Sequence, residues 1–321
     1  MREDIYRRLQ FFYFRYILRL FKLLKKRPRF LFDLSDAGVG IGNIICVTPA
    51  IAALRGLYPQ SIIDVKLIYG ELLEDWKIVD EIYDSKTTEE AYDAVFRYHF
   101  GKDSRKINTI KLDVVIDKNE ARYHFEKIQR MGYKGAMPPL YVSVKPLDMP
   151  FPKDRLKIGI VNCGKDVNFG LNGESKSWPH YDELIMNLLE NYRCRIYFIG
   201  GADEKGKMKV SGDHIVDCVG QYNLAQTAFI LKSCDIVIGN DCGPMRIADA
   251  VGVRHYVIWG PTSRNKNAYL NNFVDIYNKN VTCRPCQGRN KRERCGHLAC
   301  LTDLKPVDVI KAIHELKYWQ K

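Results

Sequence analysis

The sequence predicts an α/β protein built from two Rossmann-like halves facing a cleft, with an amphipathic helix ahead of them. Three observations carry that expectation. Apolar runs alternate with helical patterns along both halves, as stacked βα units with parallel sheets require. A charged stretch with three prolines, "KPLDMPFPKDR" (residues 145–155), divides the halves in the manner of a linker. Finally, a Gly-rich loop in the first half and "NDCGP" (240–244) in the second each follow an apolar strand and open a helix, where such sheets bind ligands.

Residues 1–28 come first. Residues 1–30 hold ten Lys/Arg against Glu3 and Asp4, so this end carries a surplus of eight out of the net +12 of all 321 residues. At 100° per residue, Arg8, Arg15, Arg19, Lys22 and Lys26 form one stripe. Ile5, Leu9, Phe12, Tyr13, Tyr16, Ile17, Leu20, Leu23 and Leu24 fill the opposite arc. A helix of this kind either lies in the interface of an anionic membrane or docks on its own protein or a second subunit.

The first α/β domain is expected over 29–148. It reads as a strand (29–34), the Gly-rich loop, a helix (43–57), a strand (62–68), and short strands at 93–96 and 112–116. The second domain, 149–304, resumes with a strand (156–161), a helix (180–190), a strand (195–199) and a helix (224–232). Its strand "DIVIG" (235–239), the helix opened by Pro244 and an apolar strand from Arg254 follow, and a last helix is expected near 307–319 within a terminal segment 305–321. No run reaches the roughly 18 apolar residues of a membrane span and no signal-peptide pattern opens the chain, so a cytoplasmic protein is expected. Its ten cysteines are then mainly thiols or metal ligands.

The junction after "DIVIG" points to chemistry. Its helix N-terminus favours a phosphate, Gly243 allows the backbone a close approach, and Asp241 is placed to cap the helix or hold a ligand hydroxyl or amine. In the first half, Gly38, Gly40 and Gly42 lie between strand and helix; a dinucleotide fingerprint would need glycine at position 43, which is Asn43, so an NAD site is not expected. The loop gives close access to a ligand, or is a turn that needs glycine's conformational freedom.

Four stretches, in this order, are "GIGNIICVTPAIAALRGLYP" (40–59), "KSWPHYDEL" (176–184), "IYFIGGADE" (196–204) and "GNDCGPMRIADAVGVRHYVIWGPT" (239–262). Together they resemble the glycosyltransferase 9 family, the ADP-heptose lipopolysaccharide heptosyltransferases. The resemblance implies the two-domain GT-B fold and inverting transfer of heptose from ADP-heptose to a glycan or lipid-linked acceptor, part of lipopolysaccharide biosynthesis, with the acceptor on the first domain and the donor on the second. By the same resemblance Lys176 faces the donor phosphates, Glu204 takes the ribose hydroxyls, Tyr222 packs on adenine, and Asp241, Cys242 and Gly243 form the donor loop. Arg246 stands where the family usually has histidine and is expected to meet phosphate.

Gly40, Gly42 and Asn43 form the acceptor loop in this reading. Asn43 replaces the family's aspartate base; an amide cannot take a proton, so Asn43 is expected to orient the acceptor, with Asp36 or Asp33 as the replacement base. No catalytic cofactor is expected, because basic side chains do here what Mg²⁺ does elsewhere.

A last signal is "CRPCQGRNKRERCGHLACLTDLKP". Cys283, Cys286, Cys295 and Cys300 have the number and spacing of a small tetrahedral zinc or iron site, with His297 able to replace one thiolate. Disulfides or plain thiols are the other readings. The first reading of the whole is thus a cytoplasmic transferase, peripheral on the inner membrane through residues 1–28. The competing readings are a nucleotide-sugar-binding relative without activity, or a nucleic-acid-binding protein using the basic tail and the cysteines. The second of these is disfavoured because most of the charge lies outside the α/β core.

Overall fold

The computed structural model describes residues 27–36, 38–84, 92–98, 108–112, 115, 117–163, 176–287 and 297–321, together with positions 9, 12, 13, 16 and 20. The chain divides into two compact units, Met1–Ser143 and Val144–Lys321, just ahead of the proline-rich run.

Unit one holds a sheet of five parallel strands: β1 (Arg29–Leu34), β2 (Ile62–Leu67), β3 (Glu81–Tyr83), β4 (Ala94–Arg97) and β5 (Thr109–Lys111), in the spatial order β3-β2-β1-β4-β5. In the central strand β1, Phe30, Leu31, Phe32 and Leu34 are all buried, with Asp33 buried between them, as in a strand covered on both faces. Phe32 stacks on Phe96 of β4 with ring centroids 4.4 Å apart. Two helices, α1 (Ile41–Leu57) and α2 (Glu120–Arg130), pack against each other. Every residue of α1 from Ile44 to Ile51 is buried, so it is a core helix without a polar face. Thr48 lies just before Pro49 in α1; its hydroxyl donates to Ile45 O (2.7 Å) and accepts from Tyr141 N (3.0 Å), tying the end of the unit to its core.

Unit two holds six parallel strands: β6 (Leu156–Val161), β7 (Cys194–Ile199), β8 (Ile215–Asp217), β9 (Ile236–Asn240), β10 (Arg254–Ile258) and β11 (Phe273–Ile276). Their order, β8-β7-β6-β9-β10-β11, is the doubly wound order in which the winding reverses beside the first strand. The helices are α3 (Tyr181–Asn191), α4 (Leu224–Ser233), α5 (Gly243–Val251), α6 (Ala299–Thr302) and α7 (Pro306–Ala312). One core joins Ile158 and Ile160 of β6, Leu184 and Leu188 of α3, Ile236 and Ile238 of β9, and Val309 of α7.

Several expectations are corrected. The strand expected at 112–116 is β5, and it ends at Lys111; Leu112 follows it, with its N–H on Arg97 O. The last helix stops at Ala312, because Ile313 leaves helical geometry (φ −94°, ψ 94°) and a 3₁₀ turn, His314–Tyr318, follows. That break lets both Ile313 and Leu316 enter the core and brings Gln320 into a bridge with Tyr192. The proline-rich run packs on unit two rather than hanging free: Tyr197 donates to Pro150 O (3.0 Å), Phe151 lies 5.1 Å from the Tyr197 ring, and Lys145 N donates to Ala225 O (3.0 Å).

The helix expected over 1–28 falls mostly outside the described residues. Of its described positions, Leu9, Phe12, Tyr16 and Leu20 are each about half exposed, while Tyr13 donates its hydroxyl to Asp93 O at 3.0 Å.

Candidate active site

In unit two the order reverses between β6 and β9, and the carboxyl ends of these neighbouring strands carry most of the expected donor residues. Asn240 closes β9 and is buried. Its amide donates to Cys163 O beyond the end of β6, and its Oδ1 accepts from Tyr181 at 2.8 Å. The junction is therefore fixed before the helix begins. Cys242 is the N-cap of α5, extended (φ −158°, ψ 176°), and its side chain makes no capping bond; Pro244 sits in the first turn, which contains no acidic residue. That leaves Gly243 at the positive end of a nine-residue helix, with the helix dipole favouring an anion there.

Asp241 does not cap this helix. It is buried, with Oδ2 accepting from Asn267 Nδ2 (2.7 Å) and Oδ1 from Tyr269 (3.1 Å). Burial first, and then the Asp241 charge, push the Tyr269 phenol well above its usual pKa, so it stays a donor. Arg246, expected at phosphate, has several partners within the fold. One guanidinium nitrogen pairs with Asp249 (2.9 Å) and bonds Ala268 O, the other bonds Asn267 O (2.8 Å), and the group lies 4.1 Å from the centre of the Tyr269 ring. Arg246 and Asp241 thus brace the 267–271 loop against α5.

The other residues expected at the donor sit on neighbouring loops. Lys176 is half-buried and precedes Ser177, which donates to Asn162 at 3.0 Å, and Trp178, whose indole N–H donates to Leu304 O at 2.8 Å. These anchors hold the lysine's backbone beside the end of β6. After β7, Glu204 Oε2 accepts from Gly201 N (2.8 Å), which rigidifies the Gly200–Gly201 turn. Gly220 (φ +65°) is required next to it, since a Cβ there would lie 2.8 Å from Ala202 Cα. Tyr222 is half-buried just ahead of α4, whose cap is reciprocal: Asn223 accepts from Gln226 N and Gln226 accepts from Asn223 N. The neighbouring Cys242, with burial, raises the Cys163 thiol well above the usual range.

In unit one the reversal lies between β1 and β4, and the Gly-rich loop opens there. Asp36 Oδ1 accepts from Gly38 N (2.9 Å), shaping the loop. Asp33 is committed on both oxygens: Oδ2 pairs with Arg97 (3.0 Å) and Oδ1 accepts from the Ser35 hydroxyl (2.6 Å). Asn43, in the first turn of α1, accepts from Gly40 N through Oδ1 (3.0 Å) and donates through Nδ2 to Glu120 Oε1 (2.6 Å). Glu120 also accepts from Tyr98 (2.6 Å), and Tyr98 bonds His124. Glu120, Tyr98 and His124 are all buried, and none of the three was expected from the sequence.

Of the four cysteines proposed as a metal site, Cys286 and Cys300 are buried, Cys283 is half-buried, and Cys295 lies outside the described residues. His297 Nδ1 accepts from Ala299 N (3.1 Å). Among the described residues no three possible metal ligands come together. Cys286 N donates to Pro261 O (2.8 Å), and Leu301 fills the space over Gly260, so both ends of the segment are fastened to the loop after β10.

The family profile described as glycosyltransferase family 9 (heptosyltransferase) matches residues 71–297. The lipooligosaccharide heptosyltransferase 2 of Campylobacter jejuni serotype O:6 is 23% identical over 306 residues, covering 86% of this chain and 96% of that protein. The solved ADP-heptose lps heptosyltransferase II of E. coli superposes with a TM-score of 0.68 at 16% identity, over 90% of this chain and 98% of that one. The iron-containing dodecameric glycosyltransferase TibC of enterotoxigenic E. coli H10407 does so at 0.65 and 15% identity, over 91% and 79%.

Proposed function

This chain belongs to glycosyltransferase family 9, the heptosyltransferases, and from that premise we propose that it moves heptose from ADP-heptose onto a hydroxyl of a lipooligosaccharide- or lipopolysaccharide-type acceptor, with inversion at the anomeric carbon. The observation that carries the reading is the helix N-terminus at Gly243, set at the point where the second sheet reverses and left without a side-chain cap by Cys242. The diphosphate of the donor takes that position. Its charge grows as the bond to the anomeric carbon breaks, and the helix amides and Lys176 stabilise that growth more than the ground state. Glu204 accepts from the ribose hydroxyls, and Tyr222 packs on the adenine. Asp241 and Arg246 act one layer behind, holding the 267–271 loop so that the helix end keeps its place. Unit one receives the acceptor sugar at Gly40 and Gly42, with Asn43 orienting it.

Two further assignments belong to this reading. The half-exposed row Leu9, Phe12, Tyr16 and Leu20, in a segment rich in Arg and Lys, holds the enzyme at the anionic inner surface where lipid-linked acceptors lie. The cysteine segment holds a structural zinc or iron that closes the chain ahead of α7. In support, Cys286 and Cys300 are buried at its two fastened ends, and thiolates suit either metal.

The test is a thermal-shift series with ADP, ADP-heptose and UDP-glucose, followed by transfer to a heptose-deficient lipooligosaccharide. A ligand at 100 times its Kd stabilises the folded state by about 2.7 kcal/mol, so ADP and ADP-heptose raise the melting temperature by several degrees and UDP-glucose does not. A response to UDP-glucose alone, or none to any of them, removes the reading.

A further inference from the structure

Resting on the transferase reading above, we propose that Glu120 is the carboxylate that takes the proton from the acceptor hydroxyl. The relevant contact exists only because the chain folds: Glu120 opens α2 and Asn43 lies in the first turn of α1, 77 positions earlier, yet Asn43 Nδ2 meets Glu120 Oε1 at 2.6 Å. Asn43 also holds the Gly40 N–H, so one amide side chain links the Gly-rich loop to the carboxylate. Asn43 is therefore a positioning residue.

Among the described residues, the carboxylates beside this loop in sequence or in the fold are Asp33, Asp36 and Glu120. Asp33 is held by Arg97 and Ser35, and a proton arriving there would have to displace the ion pair. Asp36 is spent on the turn at Gly38. Glu120 instead sits on a helix, among groups that can redistribute hydrogen bonds when it gains a proton. Tyr98, at the end of β4, donates to it at 2.6 Å, and His124, one turn along α2, reaches both Tyr98 and Glu120 (3.8 Å). Burial keeps the Tyr98 phenol protonated, well above its usual pKa, so it remains a donor to Glu120 across the working range. A buried carboxylate on rigid elements is the arrangement general bases use.

The step balances without another reactant. The acceptor O–H bond breaks and its proton goes to Glu120. The oxygen forms a bond to the anomeric carbon of the heptose. The bond from that carbon to the diphosphate oxygen breaks, and its electron pair leaves with ADP.

The experiment compares Glu120→Gln and Asp36→Asn in the full chain, with ADP-heptose as donor and heptose-deficient lipooligosaccharide as acceptor, across pH 5 to 9. Glu120→Gln lowers kcat by about 10²- to 10⁴-fold, abolishes the acidic limb of the rate profile, and leaves the ADP-heptose melting shift unchanged. Among the described residues, the other titratable groups facing the site include Tyr98, His124 and Cys46, and His124→Gln keeps the acidic limb. Asp36→Asn, which loosens the turn at Gly38, lowers the rate mainly through a higher KM for the acceptor and keeps the acidic limb. Should glutamine lower the melting temperature of the free protein, Glu120→Asp decides: a slower enzyme with its acidic limb intact supports the assignment. A normal rate and pH profile in Glu120→Gln, or loss of the acidic limb in Asp36→Asn, overturns it. If the unaltered chain neither binds ADP-heptose nor transfers, the transferase reading falls and takes this one with it; normal transfer with an indifferent Glu120 removes the base assignment alone.

Discussion

Met245 holds its sulfur where Gly239 would carry a side chain: a Cβ on Gly239 would lie 2.6 Å from Met245 Sδ and 2.8 Å from Val161 Cβ. Gly239 thus lets α5 close down on β9 and sets the height of the helix N-terminus above the sheet. Gly239→Ala is expected to cost about 1–3 kcal/mol in urea unfolding and to shrink the ADP melting shift. Because methionine is flexible, pairing it with Met245→Ala recovers part of that loss non-additively, while Val161 keeps recovery incomplete. An unchanged midpoint in the single variant would contradict the packing.

Lys176 is the one basic side chain assigned to the donor phosphates. A hydrogen bond to a charged group is worth about 1.5–3 kcal/mol, so Lys176→Ala is expected to weaken ADP binding by about 10- to 100-fold in titration calorimetry, with Lys176→Arg losing less. Equal affinity in the alanine variant would place the phosphates elsewhere.

His255 is fully buried, with Nδ1 on Val253 O at 2.9 Å, and burial lowers its pKa below the ordinary 6.5. The unfolded chain therefore takes up this proton first. The stability it supports is complete above pH 6.5 and drains away as pH falls from there toward the folded value, by at most about 1.4 kcal/mol per pH unit. Urea midpoints between pH 7.5 and 5.5 should fall more steeply for the unaltered chain than for His255→Phe; parallel curves would mean that His255 does not set the slope.

Phe12 and Tyr16 have ring centroids 4.9 Å apart within the half-exposed row that includes Leu9 and Leu20. Phe12→Glu with Leu20→Glu is expected to abolish co-sedimentation with phosphatidylglycerol vesicles while sparing ADP binding. The row matters together with nearby basic residues, each worth about 1 kcal/mol at an anionic surface, so neutral phosphatidylcholine vesicles should bind poorly even before mutation. A drop in oligomer mass, with vesicle binding intact, would point to a second copy as the partner of this row.

The cysteine segment should retain about one zinc or iron per chain by elemental analysis, and Cys286→Ser or Cys300→Ser should release it and lower the melting temperature. Metal-free protein of unchanged stability would remove the assignment.

Much of the fold was legible because its central strands are continuous apolar runs: β1, β6 and β9 announce themselves, and each ends in a loop with Gly or Asn. The strands that were not legible are the short ones at or near the sheet edges. Glu81–Tyr83, Ile215–Asp217 and Phe273–Ile276 are three or four residues long and half-exposed, with too few alternations to read. Helix α2 has the right period, but its inward face includes Glu120 and His124, which hide the pattern behind charge. The candidate donor loop stands out in the local sequence because its residues are consecutive. The Asn43–Glu120 pair could not, since nothing in either neighbourhood points to the other. Arg246 shows the opposite limit: its place in α5 can be read from the local sequence, but the Asn267 and Ala268 carbonyls it bonds cannot, because a buried guanidinium satisfies itself on whatever carbonyls folding brings near it.

The embrace of Phe151 by Tyr197 and Phe229 bears on how the second unit is best produced alone. A fragment beginning at Leu156 would strip that ring away and bare two aromatic faces beside β7, inviting self-association at the concentrations crystallisation needs. One beginning at Val144 carries its own cover and keeps the Lys145 bond to Ala225.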